Sequence, residues 1–469
     1  MNEQIRTFEN FRKNLYNSFS KRKDAIMDLI DSLAGNPQPV SSVQVSLNPL
    51  FRREYSSLHD AVDNLFVASS PDKAKQERFE HQQKLMGITA SLCPEPSRRN
   101  FYTFAIDATS QPRKFAVTLE DRGFVYKPNT ISGNKPITIG HSYSVFVGLP
   151  EKENKTAPPW VIPLSSMRIP TDDKATTIGA SQVDLLLKDS NSPFNNKLCV
   201  LLGDTAYSAV NFLSKVAGHE DLVTIARVRG DRTFYRQPDV SSTAGNAGHP
   251  TWFGPVFKMP DPSTWGTPDE IGNTTFTTHK GQCCHVEIMG WNNMLMNGKR
   301  GIPMHPHPFT LLRILAKDNN GIDVFKNPIW LIVFGKLRHE VSILHSYDAY
   351  TQRFDIEHFF RFGKNKLLLD DYQTPIVEHE ENWWEIACLA YIMLWAAAPL
   401  ASNRFHPWAR YLFADQNQEG TLPSPSMVQR DMVRIIPMFG TPASPPKTRG
   451  KSPGRKKVIK YAKGIAILS

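Results

Sequence analysis

The sequence predicts an α/β protein, α+β overall, built on a mixed sheet with flanking helices. Three observations predict it. Residues 101–106 and 198–202 are continuous apolar runs with the length and composition of buried strands. Strand and helix patterns alternate between residues 178 and 228. From about Asp231 to Asn320 helical periodicity fails, and Pro, Gly, Thr and Trp become frequent, which predicts short strands and turns.

Residues 1–98 read as a helical N-terminal region and a candidate DNA-binding domain. Ala25, Ile26, Leu29, Ile30 and Leu33 form an amphipathic pattern closed by Gly35-Asn-Pro37. A second helix includes Leu58, Val62, Leu65 and Phe66, and a third runs from Lys73 to about Leu85. Arg52-Arg53 and Arg98-Arg99 sit at element edges. Residues 99–230 read as the first part of a core. The run at 101–106 ends in Asp107, 115–125 and 141–149 read as strands, 178–187 as a helix, and 198–202 as a strand followed by Gly203-Asp204. Residues 208–216 look helical, and 222–228 return to strand. Residues 231–324 read as a β-rich segment of short strands and turns. Residues 325–400 resume the core with a strand at 328–334, a polar helix through Tyr350 and an apolar helix from Trp383 to Ala398. Residues 401–469 form a C-terminal segment with a basic tail.

The 469 residues suffice for two to four domains with at least one large core. Apolar residues at 40% and charged residues at 21% fit a soluble globular protein. The net charge of +10 is concentrated at the end: residues 441–469 hold eight Lys and Arg and no acid, leaving the rest near +2. Such a tail reads as a nucleic-acid arm or a solubilising end. Five scattered cysteines fit a reducing compartment, and adjacent Cys283-Cys284 lack the usual zinc-ligand spacing. No apolar signal region follows Met1, and the most apolar stretch, residues 386–400, is short for a bilayer and contains Pro399. The expectation is a cytoplasmic protein without membrane partners.

The chemistry concentrates in residues 350–364. On one continuous helix, with Tyr350 at zero, Arg353, Glu357 and Lys364 fall at roughly −60°, −20° and −40°, and Arg361 at about 20°. A carboxylate flanked by two cations and a phenol suits a metal-bound phosphate. A surface helix with an Arg353–Glu357 ion pair has the same pattern. Asp107 and Asp204 each follow an apolar strand at its C-terminal end, where open α/β sheets place ligand-binding groups, although Asp is also a common turn residue there. If the two strands are neighbours, Glu357 can supply a third carboxylate. Three such acids need cations, and two Mg²⁺ about 3.5–4 Å apart would serve.

This arrangement resembles the DDE transposases of bacterial insertion sequences, in the branch marked by Y-x2-R-x3-E-x6-K. Tyr350, Arg353, Glu357 and Lys364 match all four positions, and Asp107 in Ile-Asp-Ala-Thr and Asp204 in Gly-Asp-Thr-Ala-Tyr-Ser match the contexts of the two aspartates. The resemblance covers roughly residues 100–400, and it implies that residues 231–324 are the β-rich insertion this branch carries before its glutamate. It implies an RNase H-like fold, as in retroviral integrases, and metal-dependent hydrolysis and strand transfer at transposon ends. It implies Asp107, Asp204 and Glu357 as catalytic metal ligands for two Mg²⁺ or Mn²⁺ ions. Tyr350, Arg353 and Lys364 would hold DNA phosphates, with Arg361 beside them. Trp252, Trp265 or Trp291 would stack a flipped base. Lys447, Arg449, Lys451, Arg455, Lys456 and Lys457 would add tail contacts to double-stranded DNA, at transposon ends and target. A homodimer is the implied active complex, nucleoid-associated in the bacterial cytoplasm. A non-catalytic, transposase-derived DNA-binding protein and an RNase H-like nuclease acting on other nucleic acids share these features.

Overall fold

The computed structural model describes residues 2–127, 135–154, 157–238, 251–278, 281–401 and 422–447. Its centre is a mixed ten-stranded sheet. The strands are β1 (Tyr102–Pro112), β2 (Gly123–Tyr126), β3 (Ile137–Gly148), β4 (Ile162–Ile169), β5 (Cys199–Gly203), β6 (Leu222–Val228), β9 (Glu270–Thr277), β10 (Cys283–Met294), β11 (Phe309–Asp318) and β12 (Ile329–Phe334). Their order is β2-β3-β1-β5-β6-β12-β11-β10-β9, with β4 on β3. β5 lies between β1 and β6 and is parallel to both, and all five of its residues are buried. A strand covered on both faces must be apolar throughout, as its sequence is. The short strands β7 (Thr233–Tyr235) and β8 (Val256–Lys258) pair separately.

One face of the sheet carries α6 (Ala175–Leu187) and α7 (Val210–Val216). Gly179 lets α6 approach β1, because a Cβ there would lie 2.6 Å from Ile106. The other face carries α8 (Ile343–Gln352), α9 (Asp355–Lys366) and α10 (Val377–Ala397), continued by one 3₁₀ turn to Leu400. α10 is longer than the apolar pattern suggested. Residues Val377–Leu400 are the one stretch among those described that is long and apolar enough to cross a membrane, and most of it is buried inside the protein.

The N-terminal helices α1 (Asn2–Ser18), α2 (Lys23–Ala34), α3 (Ser42–Val45), α4 (Tyr55–Asn64) and α5 (Ala74–Ala90) share one hydrophobic core with α10 and α11 (Pro425–Phe439). Buried Arg12 and Asp31 pair at 2.6 Å, and Arg52 and Arg53 converge on buried Asp28. The same arginines donate to the carbonyls of Gly440, Ala443 and Ser444, so the chain after α11 is strapped to α2. Arg99 is likewise engaged, by Asp348, Gln352 and Thr103.

Two sequence readings are corrected. Residues 115–125 are not one strand: only the end is, as β2. Arg122 folds the preceding loop onto itself by donating to the carbonyls of Arg113, Val117 and Leu119, a tertiary arrangement with no local pattern. The signature is not on one helix either. α8 ends at Gln352, and the backbone tightens through Arg353 and Phe354 into bonds three residues apart, Arg353 to Tyr350, Ile356 to Arg353 and Glu357 to Phe354. Such a turn winds faster than an α-helix, so angles computed for one helix do not apply across it. The segment marked as an insertion supplies β9, β10 and β11, which extend the central sheet through β12.

Candidate active site

β1 and β5 are neighbours, and Asp107 and Asp204 emerge where their parallel pairing ends. By the alternation of each strand both lie on the face that carries α8 and α9. Asp107 Oδ1 accepts from the Ala108 amide at 2.8 Å. Asp204 caps the following 3₁₀ turn by accepting from the Ala206 amide at 2.8 Å, so part of its role is that of an ordinary turn residue. Gly203 is required beside it, because a Cβ there would lie 2.6 Å from the Tyr207 Cβ and 2.9 Å from its ring.

Arg353 joins the sheet to the helices. Its Nη1 lies 3.1 Å from Asp107 Oδ2, and its Nη2 lies 3.5 Å from Glu357 Oε1. Two acids 250 positions apart are thus held by one buried guanidinium. Burial raises the Asp107 carboxyl to about 6. Arg353 and the Ala108 amide oppose that rise, while the charges of Asp204 and Glu357 add to it. Asp107 therefore senses both other acids. They are not gathered into a ready ligand set: among the described residues no three His, Cys, Asp or Glu side chains are disposed to hold a metal ion. The Glu357 side chain is half exposed, on the first turn of α9.

Tyr350 is buried under Arg353, whose guanidinium carbon lies 5.8 Å from the ring centroid. Burial raises its hydroxyl, Arg353 and Arg227 oppose this, and Asp204 adds to it. Lys364 donates to the Ser110 carbonyl at 2.7 Å and lies 3.4 Å from Asp370, which fixes it over β1 three residues beyond Asp107. Arg361 is exposed on α9. Lys447 is exposed, and Arg449, Lys451, Arg455, Lys456 and Lys457 lie outside the described residues.

Two neighbours were missed from sequence. Arg227 is exposed on β6, one position beyond the β5–β6 pairing and on the face of the acids. Its signal was a lone charge inside a buried strand. Tyr207 is buried beside Asp107 and Asp204, where desolvation and then those two charges push its hydroxyl up and keep it protonated. Of the three tryptophans considered, Trp291 is core and Trp265 packs with Trp291, Trp330 and Arg313. Trp252 is half exposed and stacks on His305 at 4.1 Å.

The donor chemistry fits a hard divalent cation. Three carboxylates would supply oxygen ligands, and a cation would offset both the burial that chiefly raises Asp107 and the smaller repulsion from Asp204 and Glu357. Arg353 supplies the compensating charge where it stands.

A protein-family model described as DDE superfamily endonuclease matches residues 14–287, more than half of the chain. The match contains Asp107 and Asp204 and ends before Tyr350. No curated protein matches the sequence.

Proposed function

The chain belongs to the DDE superfamily endonucleases, transposase- and nuclease-like enzymes with DNA as substrate, and from that premise we propose that it is an insertion-sequence transposase of the Y-R-E-K branch with an RNase H-like core. The observation that carries this reading is the twin contact of Arg353: the signature arginine touches the first acid of the sheet and the glutamate of its own motif.

Asp107, Asp204 and Glu357 would hold divalent ions, Mg²⁺ or Mn²⁺. When bound, such ions activate water or a 3′-hydroxyl and neutralise charge on the cleaved phosphodiester. The chain's own groups do the rest. Lys364, anchored over Ser110, presents an ammonium to a phosphate along β1. Tyr350 stays protonated and donates from beneath. Arg353, on leaving Asp107, offers a planar fork for phosphate oxygens. Arg227 adds a cation across the sheet. Trp252 supplies the exposed ring for an unstacked base. The basic tail adds sequence-independent phosphate contacts, and paired ends call for a homodimer.

The test is cleavage and joining of DNA carrying the inverted repeats that flank the gene, in Mg²⁺ or Mn²⁺. Ala at Asp107, Asp204 or Glu357 is expected to lower cleavage by on the order of a thousandfold or more while leaving DNA binding nearly intact. Undiminished cleavage by Glu357→Ala would overturn the assignment. Cleavage without joined product would reduce it to a nuclease.

A further inference from the structure

We propose that the hairpin of β2 and the start of β3 is an arm that grips duplex DNA leading away from the carboxylates. The inference rests on the DNA-acting reading above. Phe124 pairs with Ile139 and Tyr126 with Ile137. Side chains directly opposite in an antiparallel pair share a face. All four are open to solvent, at 83%, 39%, 63% and 52% exposure, while Val125 between them is buried on the other side. Few sheet edges leave such a face bare without a partner.

The direction of that face is fixed by register. β3 pairs without a bulge with β2 from Ile137 and with β1 through Val145, which lies opposite Asp107. Every second residue therefore stays on one face, and Ile137 and Ile139 share it with Val145 and Asp107. Six to eight residues separate them along β3, roughly 20–26 Å at 3.3 Å per residue. Lys364, bonded to the Ser110 carbonyl, stands between the acids and the hairpin. Between them α10 covers this face, where Glu380 binds His141 and Tyr143, so the arm stands beyond the helices, at a distance from the carboxylates of about six to eight base pairs of duplex at 3.4 Å each.

Charge selects the occupant. From Arg122 to His141 there is no Asp or Glu. Lys127 and Lys135 are exposed, one on each side of the hairpin, and the Lys127 amide closes it by donating to the Pro136 carbonyl at 3.0 Å. At the base, Lys114 lies over the exposed Phe115 ring at 5.5 Å. The nearest acids along the chain are Asp121, held by Arg168 and Thr171, and exposed Glu120. Apolar rings with lysines at their rim suit a DNA groove, rings against sugars and bases and ammonium groups on phosphates. A second copy docked face to face would oppose lysines with the same lysines.

The test uses the full-length protein and a fluorescein-labelled duplex of arbitrary sequence about three helical turns long. Anisotropy is read in EDTA across a salt series, so chemistry is silent. The double variant Phe124→Ser/Tyr126→Ser is expected to bind about tenfold more weakly. Lys127→Ala/Lys135→Ala is expected to reduce the salt slope by roughly two. These side chains are exposed, and circular dichroism checks that the fold is kept. Parental affinity and slope in both variants would overturn the arm. So would unchanged binding with a dimer-to-monomer change in sedimentation, which would make the hairpin a self-association surface. A protein that binds through the hairpin but never cleaves would leave the arm standing and sink the transposase reading instead.

Discussion

At Asp107 the charged state is held at a cost, because burial and two neighbouring acids oppose ionisation more than Arg353 favours it. A carboxyl whose native value is raised adds stability at low pH and loses it as pH climbs through about 6. In EDTA, Asp107→Asn is therefore expected to be more stable than the parent above pH 6 by about 1–2 kcal/mol, discounted for the partner Arg353 loses, and equal to it below about pH 4. Calorimetry across pH reads this directly, and a parent that stays the more stable at pH 8 would contradict it. Arg353→Ala removes the cation between Asp107 and Glu357. Thermal stabilisation of that variant by Mn²⁺ is expected to reach its midpoint at roughly tenfold lower concentration, a measurement independent of catalysis. Asp107, Asp204 and the four signature residues were legible as candidates because each sits in a local motif. Arg227 and Tyr207 were not, because their place beside the acids depends on which strands pair.

Among the elements, α10 does the joining. Its Glu380 is fully buried and binds Arg113 at 2.8 Å and His141 at 2.7 Å, and it accepts from Tyr143 at 2.9 Å. Arg113 also donates to the Asp370 and Tyr372 carbonyls, so the hub ties the end of β1 to the loop below Lys364. Burial alone would raise the Glu380 carboxyl, but the His141 hydrogen bond and the Arg113 charge outweigh it and hold it below its usual value. Its stabilising contribution is present above the ordinary glutamate range and is lost as pH falls through the lowered native value. Glu380→Ala is expected to cost about 3–5 kcal/mol in urea unfolding, since it strands a buried guanidinium. A loss below about 1 kcal/mol would mean the hub is not a unit. The strands were readable as apolar runs and α10 as an apolar helix. The break between α8 and α9 was not, because residues 353–354 keep helix-compatible backbone and only the hydrogen-bond step shortens.

For the molecule as a whole, the mixed architecture was legible from the order of its patterns, but the merging of regions was not. Composition marks residues 1–98 as helical, yet it does not reveal that Phe8, Ile26, Ile30 and Leu58 share a core with Trp383 and Trp384. A chain starting at residue 99 is expected to be insoluble or to lose cooperative unfolding, and residues 1–98 alone to lack a sharp transition. Gel filtration and circular dichroism decide both, and a well-folded isolated fragment would refute the shared core. The same topology governs how the protein is made. The partner of the first helices, α10, leaves the ribosome more than three hundred residues after them, and β6 waits about a hundred residues for β12. At about 5–20 residues per second those surfaces stay bare for many seconds. A nascent chain of this design is expected to depend on protection of those surfaces, and a message cut short before α10 to yield no partial enzyme.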